Sequence, residues 1–227
     1  QIGIPFWIAF ILGIILTGIL GFIIERTFLR PMVGEPVFSV AVLTIGIDIL
    51  LRVVLDNWIG INPKYMGDPF PSFGNFGSLS IGGITIKYLE VTALIISLIL
   101  IFVLSVFFKR SKYGVAMRAT SLDQEAALAQ GINVGRVFGL VWFIAGLLAA
   151  FAGFFITGGF NTLTNSSFIS ALRALPAVVI GGLDSITGAV IGSLIIGLTQ
   201  AYVGYYQFDI ESAYNIRLGN GFSIVAP

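Results

Sequence analysis

Five stretches of this chain are apolar for close to twenty residues each, and they constrain the fold more than any other feature: Pro5 to Ile24, Val37 to Leu55, Tyr88 to Phe108, Val137 to Ile156 and Ile186 to Tyr206. Crossing about 30 Å of hydrocarbon takes roughly 20 residues of helix, so each stretch is long enough to span a membrane. Composition agrees, because 57% of the 227 residues are hydrophobic and 10% charged, whereas a soluble domain is about a quarter charged. Mean hydropathy is +1.00. The expected fold class is an all-α integral membrane protein, a polytopic helical bundle with about six spans once the shorter apolar piece from Phe168 to Leu183 is counted.

What the chain lacks excludes several chemistries. It has no His and no Cys, which removes disulfides, thiol nucleophiles, imidazole bases and the usual zinc ligands, so no metal site is expected. Twelve basic and eleven acidic residues leave a net charge of +1, and that balance points neither to nucleic acid nor to an acidic substrate. The chain opens on Gln1 and is apolar by Ile4, without a basic leader; it reads as a fragment, with further helices expected at both ends.

Between the spans, sign and position of charge set the orientation. Glu25, Arg26 and Arg30 close the first span, and Pro31 with Pro36 should stop the helix there. The connection from Lys109 to Arg136 holds five of the twelve basic residues, and the segment 56–87 holds only Lys64 and Lys87. Basic residues beside a span mark the cytoplasmic side. The chain is therefore inside at Arg26, outside at Asp56 and inside again at Lys109, which makes 109–136 a cytoplasmic loop and 56–87 an extracytoplasmic one.

Asp48 and Arg52, four apart in the second span, can pair on one helix face, and Arg52 is near enough to Asp56 to reach the polar boundary. In the outer loop, SIGGITIK from Ser80 to Lys87 suggests a small hairpin, and Trp58, Phe70, Phe73, Phe76 and Tyr88 supply rings for an interfacial belt. In the fourth span Ala145, Ala149 and Gly153 recur every fourth residue, a stripe that would let another helix approach closely. Thr157 to Ser167 reads as the outer turn that follows. The piece from Phe168 to Leu183 is broken by Arg173, Pro176 and the pair Gly181 and Gly182. Such a segment either exposes backbone to a solute path or sits shielded within the bundle. Asp184 and Ser185 can cap the last span, which carries Gly188 and Gly192 as a second close-packing face. Gln207 to Pro227, with Asp209, Glu211 and Arg217, would then lie outside.

The one long polar interruption in the second half is Tyr113 to Arg136, YGVAMRATSLDQEAALAQGINVGR. Ser121 suits an N-cap with Gln124 three residues on, Asp123 and Glu125 lie where the dipole favours acids, and Gly131 is a natural terminator. The helical body, Leu122 to Gln130, would be about 14 Å long, too short to persist alone. It must pack on something. Its alanines suit either a groove in a partner protein or the chain's own bundle; a lipid-binding helix would carry bulky apolar residues and several Lys.

The run YGVAMRATSLDQEAALAQGINVGRVFGLVWFIAGLLAAFAGFF, followed by ALPAVVIGGLDSITGAVIGSLIIGL, resembles the permease subunits of branched-chain amino acid ABC importers. The matching residues are Gly114, Arg118 and Ala119; Glu125, Ala126 and Ala127; Gly131 and Ile132; and Gly181, Gly182 and Leu183. The likeness covers Tyr113 to about Tyr206. It implies a single transmembrane permease domain over 1–227, multi-pass in a prokaryotic cytoplasmic (inner) membrane. The partners it implies are a second homologous permease, two cytoplasmic ATP-binding subunits and an extracytoplasmic solute-binding protein. Leu122 to Gln130 would be the coupling helix, anchored by the charges of Glu125 and Arg118, with a close-fitting Ala face and with Gly114 and Gly131 setting the turns at its ends. ATP and Mg would be bound by the partner ATPases and no cofactor by this chain, which has no GxxxxGK[ST] sequence.

The cargo class implied is branched-chain or other hydrophobic amino acids, with urea or short amides as an alternative. Two other classes compete. A secondary transporter or channel would more often carry paired intramembrane acids, and only Asp48 lies well inside a span. A membrane enzyme would have to use a Ser–Lys or carboxylate arrangement, and Lys64 and Lys87 both lie outside the spans.

Overall fold

The structure, a computed structural model, describes residues 6–32, 35–60, 62, 64–65, 78–81, 84–160, 162–163, 174–182 and 185–214. Among these, five helices are long and apolar enough to cross a membrane, over Ile8–Met32, Phe38–Trp58, Tyr88–Arg110, Val134–Thr157 and Ile186–Tyr206. Of the sixth span counted from the sequence, Ala174–Gly181 is helical, and 168–173 and 183 lie outside the described residues.

The chain divides into two compact units, residues 1–167 and 168–227. In the first, α1 (Phe6–Ile24) does not stop at Glu25 as expected. It runs on through a π-turn, Glu25–Leu29, and a 3-10 turn, Arg30–Met32. Pro31 accounts for the change of pitch without a break. Its nitrogen cannot donate to the Thr27 carbonyl and its ring crowds that oxygen, so the backbone shifts to wider i→i+5 bonding, with the Arg30 N–H donating to the Glu25 carbonyl. The helix α2 (Val37–Ile59) follows Pro36 and ends at Gly60, φ +88°. Within it Arg52 Nε and Asp48 Oδ2 pair at 2.9 Å, both side chains partly exposed.

The segment 56–87 contributes β1 (Lys64–Tyr65) and a hairpin of β2 (Ser78–Ile81) with β3 (Ile84–Lys87), its register pairing Leu79 with Ile86 and Ile81 with Ile84. The hairpin begins two residues earlier than Ser80. Phe70, Phe73 and Phe76 lie outside the described residues. After α3 (Tyr88–Arg110) come two short helices, α4 (Lys112–Leu122) and α5 (Gln124–Ala129), and then the long α6 (Val134–Phe160). The turn expected from Thr157 starts later, because α6 continues through Gly158 and Gly159. Beyond it β4 (Thr162–Leu163) pairs antiparallel with β1, which puts the segment after α6 and the loop after α2 on the same side.

The main helix pair of this unit is antiparallel α1 against α6. Near one end Phe10 packs edge-on against Phe151, centroids 5.6 Å apart, and tilted against Phe154 at 4.3 Å. In the middle the backbones nearly touch: a Cβ on Gly21 would lie 2.5 Å from the Trp142 oxygen, and one on Gly146 would lie 2.6 Å from the Thr17 oxygen. Glycine is required by this approach, since two helices meeting backbone to backbone leave no volume for a methyl group. Most remaining apolar surface of the long helices is exposed, as hydrocarbon-facing surface is.

In the second unit, α7 (Ala174–Gly181) folds back on α8 (Ile186–Tyr214) through a turn at Gly182, φ +90°. Ser185 caps α8, accepting from Gly188 N at 3.0 Å. Gly188 and Gly192 lie against Gly181 and the Ala177 carbonyl with no space for a side chain, and Ala177 is buried in that seam. The last helix continues past Tyr206, where the apolar span ends, through Asp209 and Glu211 to Tyr214.

Candidate functional site

The segment from Lys109 to Arg136 is a compact helix–turn–helix, and nearly every turn in it has an identifiable cause. The chain leaves α3 at Ser111, whose extended backbone, φ −83° and ψ 149°, reverses the path. Its hydroxyl accepts from Gly114 N at 2.8 Å and so caps α4. Gly114 is buried, with Phe107 O, Phe108 Cα and Phe108 O each 2.6 Å from where a Cβ would be; only glycine lets α4 begin against the last turn of α3. Gly114, Met117 and Thr120, three apart, form the inward stripe of α4. Tyr113, Val115 and Arg118 are exposed.

The cap of α5 is Asp123 and not Ser121. Asp123 breaks the helix with φ −155° and ψ 112°, and its Oδ1 accepts from Ala126 N at 3.0 Å. The Ser121 hydroxyl instead donates to the Arg118 carbonyl, closing the last turn of α4. Both residues have the right chemistry for a cap; the longer α4 takes Ser121 and Leu122 into itself, so the expected body Leu122 to Gln130 is shortened to Gln124–Ala129.

Gly131 terminates α5 in the left-handed region at φ +80°. The Ile132 N–H donates to the Ala127 carbonyl at 3.0 Å and Gly131 N–H to Leu128 at 2.9 Å, the paired bonds of a Schellman ending. Asn133 then caps α6, its Oδ1 accepting from Arg136 N at 3.0 Å. The loop between α5 and α6 therefore has little freedom. Of the α5 alanines, Ala127 turns inward at 3% exposure, and Ala126 and Ala129 face out beside Glu125. Leu122 is 88% exposed and Leu128 57%. The outward surface is thus a mixture of two leucines, small residues and the unpaired charges of Arg118 and Glu125, which make no ion pair among the described residues.

The residues singled out from the sequence fall in three places along the chain. Gly114, Arg118, Ala119, Glu125, Ala126, Ala127, Gly131 and Ile132 all belong to this one segment. Gly114, Ala127 and Gly131 shape it, whereas Arg118, Glu125 and Ala126 are displayed. Pro176, Gly181, Gly182, Gly188 and Gly192 lie in the α7–α8 unit, and Arg173 lies outside the described residues. The stripe of Ala145, Ala149 and Gly153 is exposed and plays no part in packing against α1. That role belongs to Gly139 and Gly146 on the neighbouring face.

Sequence reasoning missed Glu25. It is 1% exposed, the most deeply buried charged side chain among the described residues. Arg30 grips it with Nε to Oε1 at 3.2 Å and Nη2 to Oε2 at 3.1 Å, and the same Nη2 donates to the Gly135 carbonyl at 2.8 Å. On an ideal α-helix residues five apart would face directions roughly 140° from each other; the π-turn stacks them. A cavity of about 420 Å³ opens beside the pair, lined among others by Val40, Thr44, Gln124, Phe138 and Trp142.

A family model described as the branched-chain amino acid transport system permease component matches residues 1–221. Among curated relatives, the high-affinity branched-chain amino acid transport system permease protein BraD of Pseudomonas aeruginosa is 29% identical over 195 residues, covering 86% of this chain and 64% of the relative. The corresponding LivH of Salmonella typhimurium is 30% identical over 203 residues, covering 87% and 64%. The galactose/methyl galactoside import permease protein MglC of Haemophilus influenzae is 29% identical over 179 residues, covering 68% and 52%. The chain thus spans just under two thirds of the length of the amino acid permeases it matches. No solved structure matches it.

Proposed function

The chain belongs to the branched-chain amino acid transport system permease family, and from that premise we propose that it is the transmembrane part of an ATP-driven importer in which α5 is the coupling helix. It is a multi-pass protein of the cytoplasmic (inner) membrane, and the relatives it matches are permease components of transport systems rather than enzymes. The observation that carries the proposal is the exposed edge of the 109–136 segment. A six-residue helix, capped by Asp123 and closed at Gly131, displays Glu125 and Leu128 next to Leu122 and Arg118. Two outward leucines flanked by charges that have no ion pair among the described residues make a surface suited to a protein groove.

In this reading two cytoplasmic ATPase subunits hold ATP and Mg, and this permease pairs with a second, homologous one. Glu125 and Arg118 orient α5 in its groove and the leucines supply buried contact, so that closure of the ATPases moves α4, α5 and α6 together. A solute-binding protein outside the membrane delivers the cargo, a branched-chain or other hydrophobic amino acid; branched-chain amino acids are the class named for the amino acid permeases above.

The test is Glu125→Lys in vesicles containing the full permease pair, both ATPases and the binding protein. We expect ATP-driven leucine uptake at least tenfold lower, with the solute-binding protein still docking normally. Unchanged uptake would refute the anchoring role, and a permease that transports without ATP-hydrolysing subunits would refute the class.

A further inference from the structure

Glu25 and Arg30 contribute nothing to the display surface of α5, yet they form the most deeply buried ionic contact described. Taking a carboxylate out of water is costly unless its partner geometry is nearly ideal. Here both carboxylate oxygens are met by the guanidinium fork, and Arg30 uses the same edge to reach across to Gly135, in the first turn of α6. Space on the α6 side is cleared for the contact. A Cβ on Gly135 would come within 3.4 Å of Arg30 Cζ, and one on Gly139 within 3.3 Å of Glu25 Oε2, so the pair rests against two glycines of α6.

The placement of this contact is what gives it a role. Gly135 is four residues beyond Gly131, and the stretch between them is held by the Schellman bonds of α5 and the Asn133 cap of α6. A displacement of α5 is therefore delivered to Gly135 with little slack. We propose that Arg30, braced by Glu25, is a positioning residue that passes this displacement from α6 to α1, so that the two helices move as one body at this end. This inference rests on the coupling role proposed for α5.

The other side of the pair is open. The cavity of about 420 Å³ separates Glu25 and Arg30 from Val40, Ala41 and Thr44 on α2, and among the described residues α2 has no extensive packing on α1 or α6. The clamped α1–α6 pair has room to move relative to α2, and that cavity is the space that changes. An arginine suits the task where a lysine would not, because a planar fork can hold a carboxylate and a carbonyl at once and an ammonium is a single point charge.

The experiment measures solute imported per ATP hydrolysed by the reconstituted complex, normalised to assembled complex. For Arg30→Gln we expect ATP hydrolysis within twofold of the native rate and the import ratio at least fivefold lower. A merely structural residue would lower the amount of complex and leave the ratio unchanged, and that outcome overturns the proposal. Should Arg30→Gln fail to assemble, Arg30→Lys keeps the charge beside Glu25 and is expected to assemble with a ratio reduced at least twofold; a native ratio there would equally overturn it.

A second readout does not depend on transport. The chain has no cysteine, so Thr27→Cys with Arg136→Cys, both exposed positions, gives a clean spin-label pair across α1 and α6. A narrow single distance with native Arg30 that broadens or splits in Arg30→Gln supports the clamp, and an unchanged distribution overturns it. If the native complex shows no coupling of hydrolysis to import while the label distances respond as expected, the coupling role of α5 fails and the clamp stands.

Discussion

Gly21→Ala probes the α1–α6 seam directly, because the added methyl group has nowhere to go. Its Cβ would lie 2.5 Å from the Trp142 oxygen, 3.3 Å from the Trp142 carbonyl carbon and 3.7 Å from Gly146 Cα, so the helices must separate by about 1 Å to restore an ordinary contact near 3.5 Å. A gap of that size forfeits roughly a quarter to a half of the dispersion energy between atoms facing across it. Overpacking costs about 1–3 kcal/mol, and since the obstacle is helical backbone, which cannot rotate away, the upper half of that range applies. Alanine recovers about 1 kcal/mol of helix propensity, which leaves a net loss of about 1–2 kcal/mol. For a chain of this size that lowers the thermal midpoint by roughly 2–8 °C. Gly13 and Gly46 provide the internal controls, with nothing within 4 Å of their Cβ positions; alanine there should leave the midpoint unchanged or raise it by a few degrees. Scanning fluorimetry of the detergent-solubilised protein reads all three. A midpoint for Gly21→Ala at or above that of Gly13→Ala would show that the backbones do not meet as described.

Asp123→Ala should remove the cap of α5 at a cost of about 1 kcal/mol, seen as roughly fivefold faster hydrogen exchange at the Ala126 amide; Ser121→Ala should leave that amide unchanged, and the reverse pattern would restore Ser121 as the cap. Gly192→Val places a branched side chain against the Ala177 carbonyl and should part α7 from α8, measured as faster hydrogen exchange at the amides of α7; an exchange rate equal to native would mean that the seam tolerates bulk. The Glu125→Lys and Arg30→Gln tests separate display from transmission, since the first alters an exposed charge and the second a part-buried contact between the first and sixth helices.

Much of the fold was legible along the chain because the membrane makes one demand of every span, about twenty apolar residues in helix, and that demand is local. The five spans, the basic connection from Lys109 to Arg136 and the glycine at 131 could all be placed without tertiary information. Gly131 illustrates why: a left-handed helix ending with φ +80° is a property of the backbone at one residue. The cap of α5 was less legible. Ser121 and Asp123 are both competent, and the choice was made by how far α4 could extend while burying Gly114, Met117 and Thr120.

Only the tertiary structure decided which small residues meet and where a charge is buried. The regular stripe of Ala145, Ala149 and Gly153 faces away from α1, whereas Gly18, Gly21, Gly139 and Gly146 form the seam, since a stripe records that close approach is possible and says nothing of which helix arrives. Glu25 and Arg30 look in sequence like the charged end of a span, five apart and on different faces of an α-helix. Pro31 withholds one backbone donor, the helix widens into a π-turn, and the two charges come together over Gly135. A pairing that depends on the local pitch of one helix and on the bare backbone of another, 105 residues away, leaves no periodic trace in the chain.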